Sequence, residues 1–590
     1  MTDILTTTSP VITVNGTPLD QTWCDGLIEL RIERAFQVPS RLTMRFNDPI
    51  YELLSSKKMK LGTELAVSVQ GQGGLVVAEV TGMSVEQAPT QPPELVVVAH
   101  DRAHRLGREN KVATFQKMHY SAIVSQLASA AGLSASVDAT SRQLDYMLQV
   151  ESSLALITEL ANRIGYDWWV EDKTLHFKKP SGETAAVVLT ADDDLLSFSV
   201  KASGHRPDTV TVRGWNHTEQ AAIVGNSDPP TLNPDSDFAK LVASPGKAFG
   251  QAKLLSANLA AASTEEAKEL SNALLQSSVT SSVVAKGVAH GNAKIKLGVP
   301  VQITGFGPLS GKYHVSEVEH VFRPSGFRTR FVAGDRHPTT LVDTLANGAG
   351  YGNPMLGNLE HRGLVVGQVT NIADPDSKGR IRVRFTGLSD EDESGWARLV
   401  SIGGGQKRGM VFIPEVGDEV VVGFENGDVR QPVVFGGLFG AKLEIPKWDV
   451  ADGKVTARRI TSRDGHYVEL SDGESDASKH ILLALAAAGY KLRLGEDRFD
   501  LALPQGKPAL IQIGEAKIEV TNSGDINIEA TNINIKAKAK VAISGAQIEV
   551  KGTASVAVEA NGQTSVKGGV VEVNATGTAM IKGTTAVMIN

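Results

Sequence analysis

Cysteine is almost absent: Cys24 is the one thiol in 590 residues. That excludes an internal disulfide framework and any cysteine-based zinc finger or ribbon. It fits synthesis in a reducing cytoplasm. Aromatic residues make up only 5% of the chain, against 58 glycines. Such a balance points to many tight turns, or to a repeat whose core is too narrow for rings. No apolar run reaches the roughly 18 residues of a membrane span; Ile481 to Ala488 is the longest candidate and falls well short. The opening MTDILTTTSP lacks the basic start and apolar core of a secretory signal. Positive charge is not in excess either. A net charge of −7 argues against a general nucleic-acid binder.

What is present is a soluble-type chain, 41% apolar and 21% charged, long enough for about four domains. The first 110 residues read as short strands, among them Val11–Val14, Leu27–Ile32, Arg41–Phe46 and Leu65–Val69, with turns at Asn15-Gly16 and Gly73-Gly74. Residues 111–184 read as α/β. One helix starts near Ser121, and a second starts near Ser153 and stops at Gly165. A strand pair there turns near Asp172-Lys173. Residues 185–345 return to strands around one helix, whose start carries the capping box Ser263 and Glu266. The stretch 346–363 is Gly- and Asn-rich and reads as a linker. Residues 364–440 form a Val- and Gly-rich unit of a size that suits a small Greek-key barrel.

The C-terminus holds a repeat. From Ala516 to Asn590 there is no Phe, Trp, Tyr, Leu, Pro, Arg, His or Cys. Apolar residues come in i, i+2 pairs: Ile518/Val520, Ile526/Ile528, Ile533/Ile535, Val541/Ile543, Ile548/Val550, Val556/Val558, Val571/Val573, Ala579/Ile581 and Val587/Ile589. Thr564/Val566 fills the remaining slot, and the step alternates between 7 and 8 residues. Each pair is one face of a short strand. Two inward side chains per repeat cannot enclose a core from one chain. The simplest closure is three chains wound together, each giving one face of a triangular prism with strands paired between chains. The spacing also differs from the six-residue repeat of a single-chain left-handed β-helix.

The middle unit carries the segments GQVTNIADPDSKGRIRVRF, GWAR, RGMVFIPEVGDEVVVGFENGD and RQPVVFGGLFG in order. Within them, Asp374, Pro375, Gly379 and Arg380 form one turn, and Pro414, Glu415, Gly417 and Asp418 a second; Trp396 is the expected barrel-core anchor. This unit closely resembles the OB-fold segment of VgrG proteins and of the phage tail-spike and baseplate-hub family. The N-terminal part is more distantly similar, through LQVESSLALITELANRIGYDWWVED and GKYHVSEVEHVFRPSGFRTRF. The opening VNGTPLDQTWCDGLIELRIERAFQVPSRLTMRFNDP looks closer to spikes of extracellular, phage-tail-like contractile injection systems than to those of type VI secretion.

The resemblance implies a mainly β, multidomain chain. Residues 1–345 would be a hub of two β-barrels with an α/β insertion (about 1–110, 111–184 and 185–345). The OB fold would span 364–440, a neck with the first shaft strands 441–515, and an intertwined trimeric β-helix 516–590. It implies a homotrimeric spike that nucleates baseplate and tube and is driven through a target envelope. Expected partners are tube and baseplate proteins at the hub, a PAAR-type tip protein at the C-terminal end, and cargo effectors. The envelope would be met only in passing, inside an assembled particle either released or kept in the cytoplasm.

No catalytic, cofactor or metal site is expected. His100 and His104 lack a third ligand, and no Gly-x-Ser-x-Gly elbow occurs. Gly403-Gly404-Gly405 leads into a strand rather than a phosphate-binding helix, and Cys24 has no nearby His. Residues 441–515 leave no room for an inserted muramidase; no toxin is expected after Asn590, and the His-free last stretch should hold no iron. The rival readings are an envelope-degrading spike enzyme and a glycan-binding fibre.

Overall fold

The computed structural model describes residues 9–588 except 90, 181–185, 217–220, 232–234, 257–260, 335–362, 386–391, 440–444 and 446–448. The linker expected at 346–363 therefore lies almost wholly outside the described residues, and so does Ile589. The chain divides into two units, Met1–Glu444 and Ile445–Asn590.

The first unit is built on one continuous 13-stranded sheet. Leu27–Ala35, Arg41–Asn47, Glu94–His100, Gly73–Glu86, Glu64–Val69 and Pro10–Val14 follow one another antiparallel and curl into a first barrel. Strict alternation makes the curl possible. Leu30, Ile32, Leu42, Met44, Phe46, Leu65 and Val67 are fully buried inside, while Arg31, Glu33 and Arg45 stand on the other face. The free edge of Leu27–Ala35 pairs with Gly311–Arg323. That strand belongs to a second barrel with Gly326–Ala333, Val283–His290, Leu195–Ala202, Pro300–Thr304 and Val187–Thr190, closed over Val301, Ile303, Tyr313, Val315 and Phe331.

Between the barrels lies the α/β insertion. The antiparallel strand pair Ala113–His119/Gln143–Gln149, the helices Tyr120–Ala130 and Ser153–Ile164 and a three-stranded sheet share a core centred on Trp168, Phe177, Ile157 and Leu160. The second helix starts where Ser152 Oγ accepts from Ala155 N–H, and it ends at Gly165 in the left-handed region, φ 70°. A further small α/β piece sits inside the second barrel's stretch of sequence. Strands Thr209–Asn216, Ala221–Asn226 and Lys253–Ser256 are covered on one face by the helix Thr264–Thr280. Sequence periodicity reads that helix alone and gives no sign that it caps its own sheet. Gly225 permits the contact: a Cβ there would lie 2.1 Å from the Ala267 carbonyl carbon.

The third part of this unit is a five-stranded sheet ordered Arg382–Arg384, Val365–Asn371, Glu419–Phe424, Pro432–Gly437, Arg398–Leu399. It encloses Val369, Ile381, Val383, Phe385, Ala397, Val420, Val422 and Val434.

The second unit begins as a six-stranded antiparallel meander from Asp449 to Ala502. A three-stranded meander, Ala509–Ile513, Ala516–Val520 and Ile526–Glu529, follows. Here the structure departs from the sequence reading: Ile518, Val520, Ile526 and Ile528 lie on strands paired within the chain, so the change to unpaired backbone falls at Glu529, not Glu515. Beyond Glu529 the described residues form no strand. The backbone runs without regular structure, with bends at 538–539, 546–547, 553–554, 561–562, 569–570, 576–577 and 584–585. These bends repeat the 7- and 8-residue step of the apolar pairs.

Candidate functional site

The second unit presents an exposed apolar face. In the meander, Ile460 faces Val468, Leu483, Leu492 and Leu501 across one transverse row. In the next row Leu470 faces Ile481, Leu494 and Phe499. Two-residue spacing puts both rows on one side of the sheet. The opposite side carries Arg459 paired with Glu469, and His480 Nε2 3.1 Å from the same carboxylate. Burial pushes against ionisation of Glu469, but Arg459 and His480 outweigh it and hold its pKa low. The charged groups of that side are thus satisfied by one another. The apolar side is 45–63% exposed at Ile460, Leu470, Ile481, Leu483, Leu494, Phe499 and Leu501.

The repeat shows the same condition in regular form. Ile533, Val541, Ile548, Val556 and Val571 are 52–56% exposed, and their partners Ile535, Ile543, Val550, Val558 and Val573 are 72–76% exposed. The two values recur at each of these steps, so successive repeats are near copies of one another. Ile581 and Val587 are also exposed. With backbone N–H and C=O groups unpaired within the chain from 530 to 588, this segment presents both halves of a sheet interface, ladder groups and side chains.

The OB-type turns are tightly built. Asp374 accepts hydrogen bonds from the N–H groups of Asp376, Lys378 and Arg380 at 3.1, 2.9 and 3.1 Å. The Arg380 guanidinium adds contacts of 2.7 and 3.1 Å. Chiefly that arginine, then the amides, holds the Asp374 carboxyl well below the usual range. Pro375 lies inside this loop, and Gly379 (φ 71°) supplies its left-handed residue. At the second turn, Asp418 Oδ2 accepts from Glu415 N–H at 2.9 Å, and Gly417 takes φ 98°. Gly417 N–H then donates to Val369 O and Val369 N–H to Asp418 O, both 2.9 Å, so the turn after Pro414 is laced to the neighbouring strand.

Trp396 is not the barrel anchor. It is half-buried at the rim, with the guanidiniums of Arg382 and Arg380 5.0 and 6.0 Å from its ring. Its neighbour Ala397 points inward instead, and alternation along the chain turns the adjacent indole outward. The rings that do enter are Phe385 and, from the insertion, Tyr146, which joins Leu148 in the barrel's hydrophobic cluster. Thr114 Oγ1 also donates to Asp392 Oδ1 at 2.7 Å. No local motif signals these contacts, because the paired residues lie hundreds of positions apart.

The other sequence candidates are separate. His100 Nδ1 is 2.7 Å from Thr81 Oγ1, whereas His104 and Arg105 both reach Glu79. Cys24 Sγ contacts only Leu19 O, at 3.7 Å. Gly403–Gly405 form a turn closed by mutual Gly405–Arg408 backbone bonds. Among the described residues no group of three or more His, Cys, Asp or Glu is placed to hold a metal.

The family described as the type VI secretion system/phage-baseplate injector OB domain matches residues 365–439, the five-stranded barrel and its two turns. The chain is similar to VgrG spike proteins. Over 155 residues it is 31% identical to the type VI secretion system spike protein VgrG5 of Pseudomonas aeruginosa, covering 23% of this chain and 19% of that protein. Over 114 residues it is 36% identical to VgrG3 of Vibrio cholerae, covering 18% and 11%. The matches thus span less than a fifth of these VgrG relatives. A second family, the Alg8 N-terminal domain, matches residues 74–323. The Francisella PdpA–VgrG complex in its half-lidded state aligns at TM-score 0.49 and 8% identity, over 84% of this chain and 87% of that one.

Proposed function

We propose that three copies of this chain form the central spike and hub of a contractile injection particle. The chain acts mechanically and carries no catalytic site. The observation that carries this reading is the segment 530–588: bends at a 7- and 8-residue step, exposed apolar pairs in the same phase, and a backbone with no ladder inside its own chain. A second copy of the same segment supplies the missing hydrogen bonds in register. A third closes the apolar pairs into an axial core, where two chains would leave a slot open to water. The likeness to VgrG spike proteins supports the same assignment for the hub and the OB barrel.

In this role the hub barrels nucleate tube and baseplate, and the shaft transmits axial force into a target envelope. A PAAR-type protein covers the exposed C-terminal end, and cargo travels with the tip. The chain is made in the cytoplasm and works within the assembled particle. Light scattering and sedimentation of the purified chain test the reading: a species of three chains is expected, and a monomer at micromolar concentration would refute it.

A further inference from the structure

We propose that Glu266 seats the OB barrel on the hub, as one buried carboxylate that holds an arginine from each of three separate segments. Arg142 precedes the insertion strand Gln143–Gln149, Arg163 lies on the helix Ser153–Ile164, and Arg430 lies on the barrel loop before Pro432–Gly437. Their guanidinium nitrogens stand 2.6, 2.7 and 3.0 Å from the Glu266 oxygens. Glu266 and its partners Arg163 and Arg430 are nearly inaccessible, at 2, 9 and 7% side-chain exposure.

The arrangement of charge makes Glu266 the member that joins the pieces. Arg163 has a local partner, Glu159, at 3.3 Å on its own helix. Arg430 has a local partner, Asp428, at 2.7 Å on its own loop. Each pair is neutral by itself. Without Glu266, the two guanidiniums would meet across the contact as buried like charges. The carboxylate between them turns that repulsion into attraction and neutralises Arg142 as well. Burial opposes its ionisation, but Arg430, Arg163 and Arg142 together hold its pKa far below the ordinary range.

The side chain is also pre-positioned. Glu266 N–H donates to Ser263 Oγ at 3.2 Å, and Glu266 Oε2 accepts from Ala262 N–H at 2.7 Å. Ser263 thus caps the helix Thr264–Thr280 as the sequence leads one to expect, but the Glu266 carboxylate is aimed by the N–H of Ala262, one residue before the cap, and not by that of Ser263 as in a reciprocal capping box. Buried ion networks add little net stability over an apolar core of the same volume; what they supply is one permitted geometry. The contact fixes how the barrel sits on the insertion and on the Thr264–Thr280 helix within each chain, whether or not the assembly is threefold.

Hydrogen exchange on the full-length chain tests this, using Glu266→Gln, Arg430→Gln and the double variant. In Glu266→Gln, amides of 426–431 and 143–149 should exchange about tenfold faster or more, while Arg41–Asn47 and Glu94–His100 keep wild-type rates. The double variant should exchange clearly more slowly than the product of the two single effects, because the Glu266–Arg430 contact is counted in both, although Arg430→Gln also strips Asp428 of its partner. Unchanged rates at 426–431 in Glu266→Gln, or single effects that multiply in the double variant, would overturn the proposal. Should Glu266→Gln unfold throughout, Arg142→Gln decides: it removes the most exposed of the three guanidiniums, and local acceleration at the same amides is expected, with wild-type rates there the contrary result.

Discussion

Replacing Ile533 and Ile535 by aspartate probes the shaft at one repeat. The two side chains are 53% and 72% exposed in the single chain, and closure of three chains would bury what remains open. Over three chains that is the equivalent of just under four full isoleucine burials, about 6–11 kcal/mol at 1.5–3 kcal/mol each. Every 1.4 kcal/mol is tenfold in an equilibrium constant, so the assembly constant should fall by about four to eight orders of magnitude. The carboxylates add a further cost, because an apolar axis offers them neither water nor counter-charge. Asn534→Asp is the matched control. It carries one of the same charges between the two positions, but alternation turns it to the opposite face, where it should be neutral. Sedimentation velocity over a concentration series reads the outcome. The double variant should run as a monomer at micromolar concentration, and Asn534→Asp as the wild type. Retained assembly of the double variant, or equal loss in both, would refute the register.

Other changes test single contacts. Tyr146→Ala should destabilise the OB barrel by about 3–5 kcal/mol through the cavity it leaves. Tyr146→Phe should be neutral or stabilising by about 1 kcal/mol, because the buried hydroxyl has no hydrogen-bond partner; thermal unfolding ranks the two. Burial, reinforced by Glu159, pushes Glu151 up to about 7. The folded chain thus holds a proton that the unfolded chain has released, and stability should fall as pH rises from about 4.5 to 7. After allowance for its partial exposure the loss is on the order of 2 kcal/mol. Glu151→Gln should flatten that slope and raise the melting temperature at pH 8; a slope matching wild type would contradict it. Asp374 is the opposite case, a depressed carboxyl whose contribution is present above about pH 4 and lost as pH falls through its folded pKa. Asp374→Asn should loosen the turn at 374–380, measured as faster amide exchange at Asp376, Lys378 and Arg380, with the difference from wild type shrinking in acid.

Much of the local structure is legible in the sequence because its causes are local. Apolar alternation in Leu30 and Ile32, the helix start near Ser153 with its stop at Gly165, and the Ser263 cap three residues before Glu266 each follow from residues within a turn or two of one another. The turn chemistry of Asp374–Arg380 and Pro414–Asp418 is local too, and so is the 7- and 8-residue step of the shaft. Trp396 shows the limit. Aromatic character alone does not say which way a residue points: the small barrel takes in Phe385, Ala397 and a tyrosine from elsewhere, and leaves the indole outside under Arg382.

The sequence by itself determined a β-rich chain ending in a two-residue apolar repeat that no single copy can bury. That follows from periodicity, which needs no knowledge of distant neighbours. Only the tertiary structure decided that strands stay paired within the chain as far as Glu529, that Tyr146 and Leu148 complete the barrel core, and that Arg142, Arg163 and Arg430 converge on Glu266. Those contacts join residues far apart in the chain, and their energies depend on burial and on which charges face each other, quantities that exist only once the chain has folded.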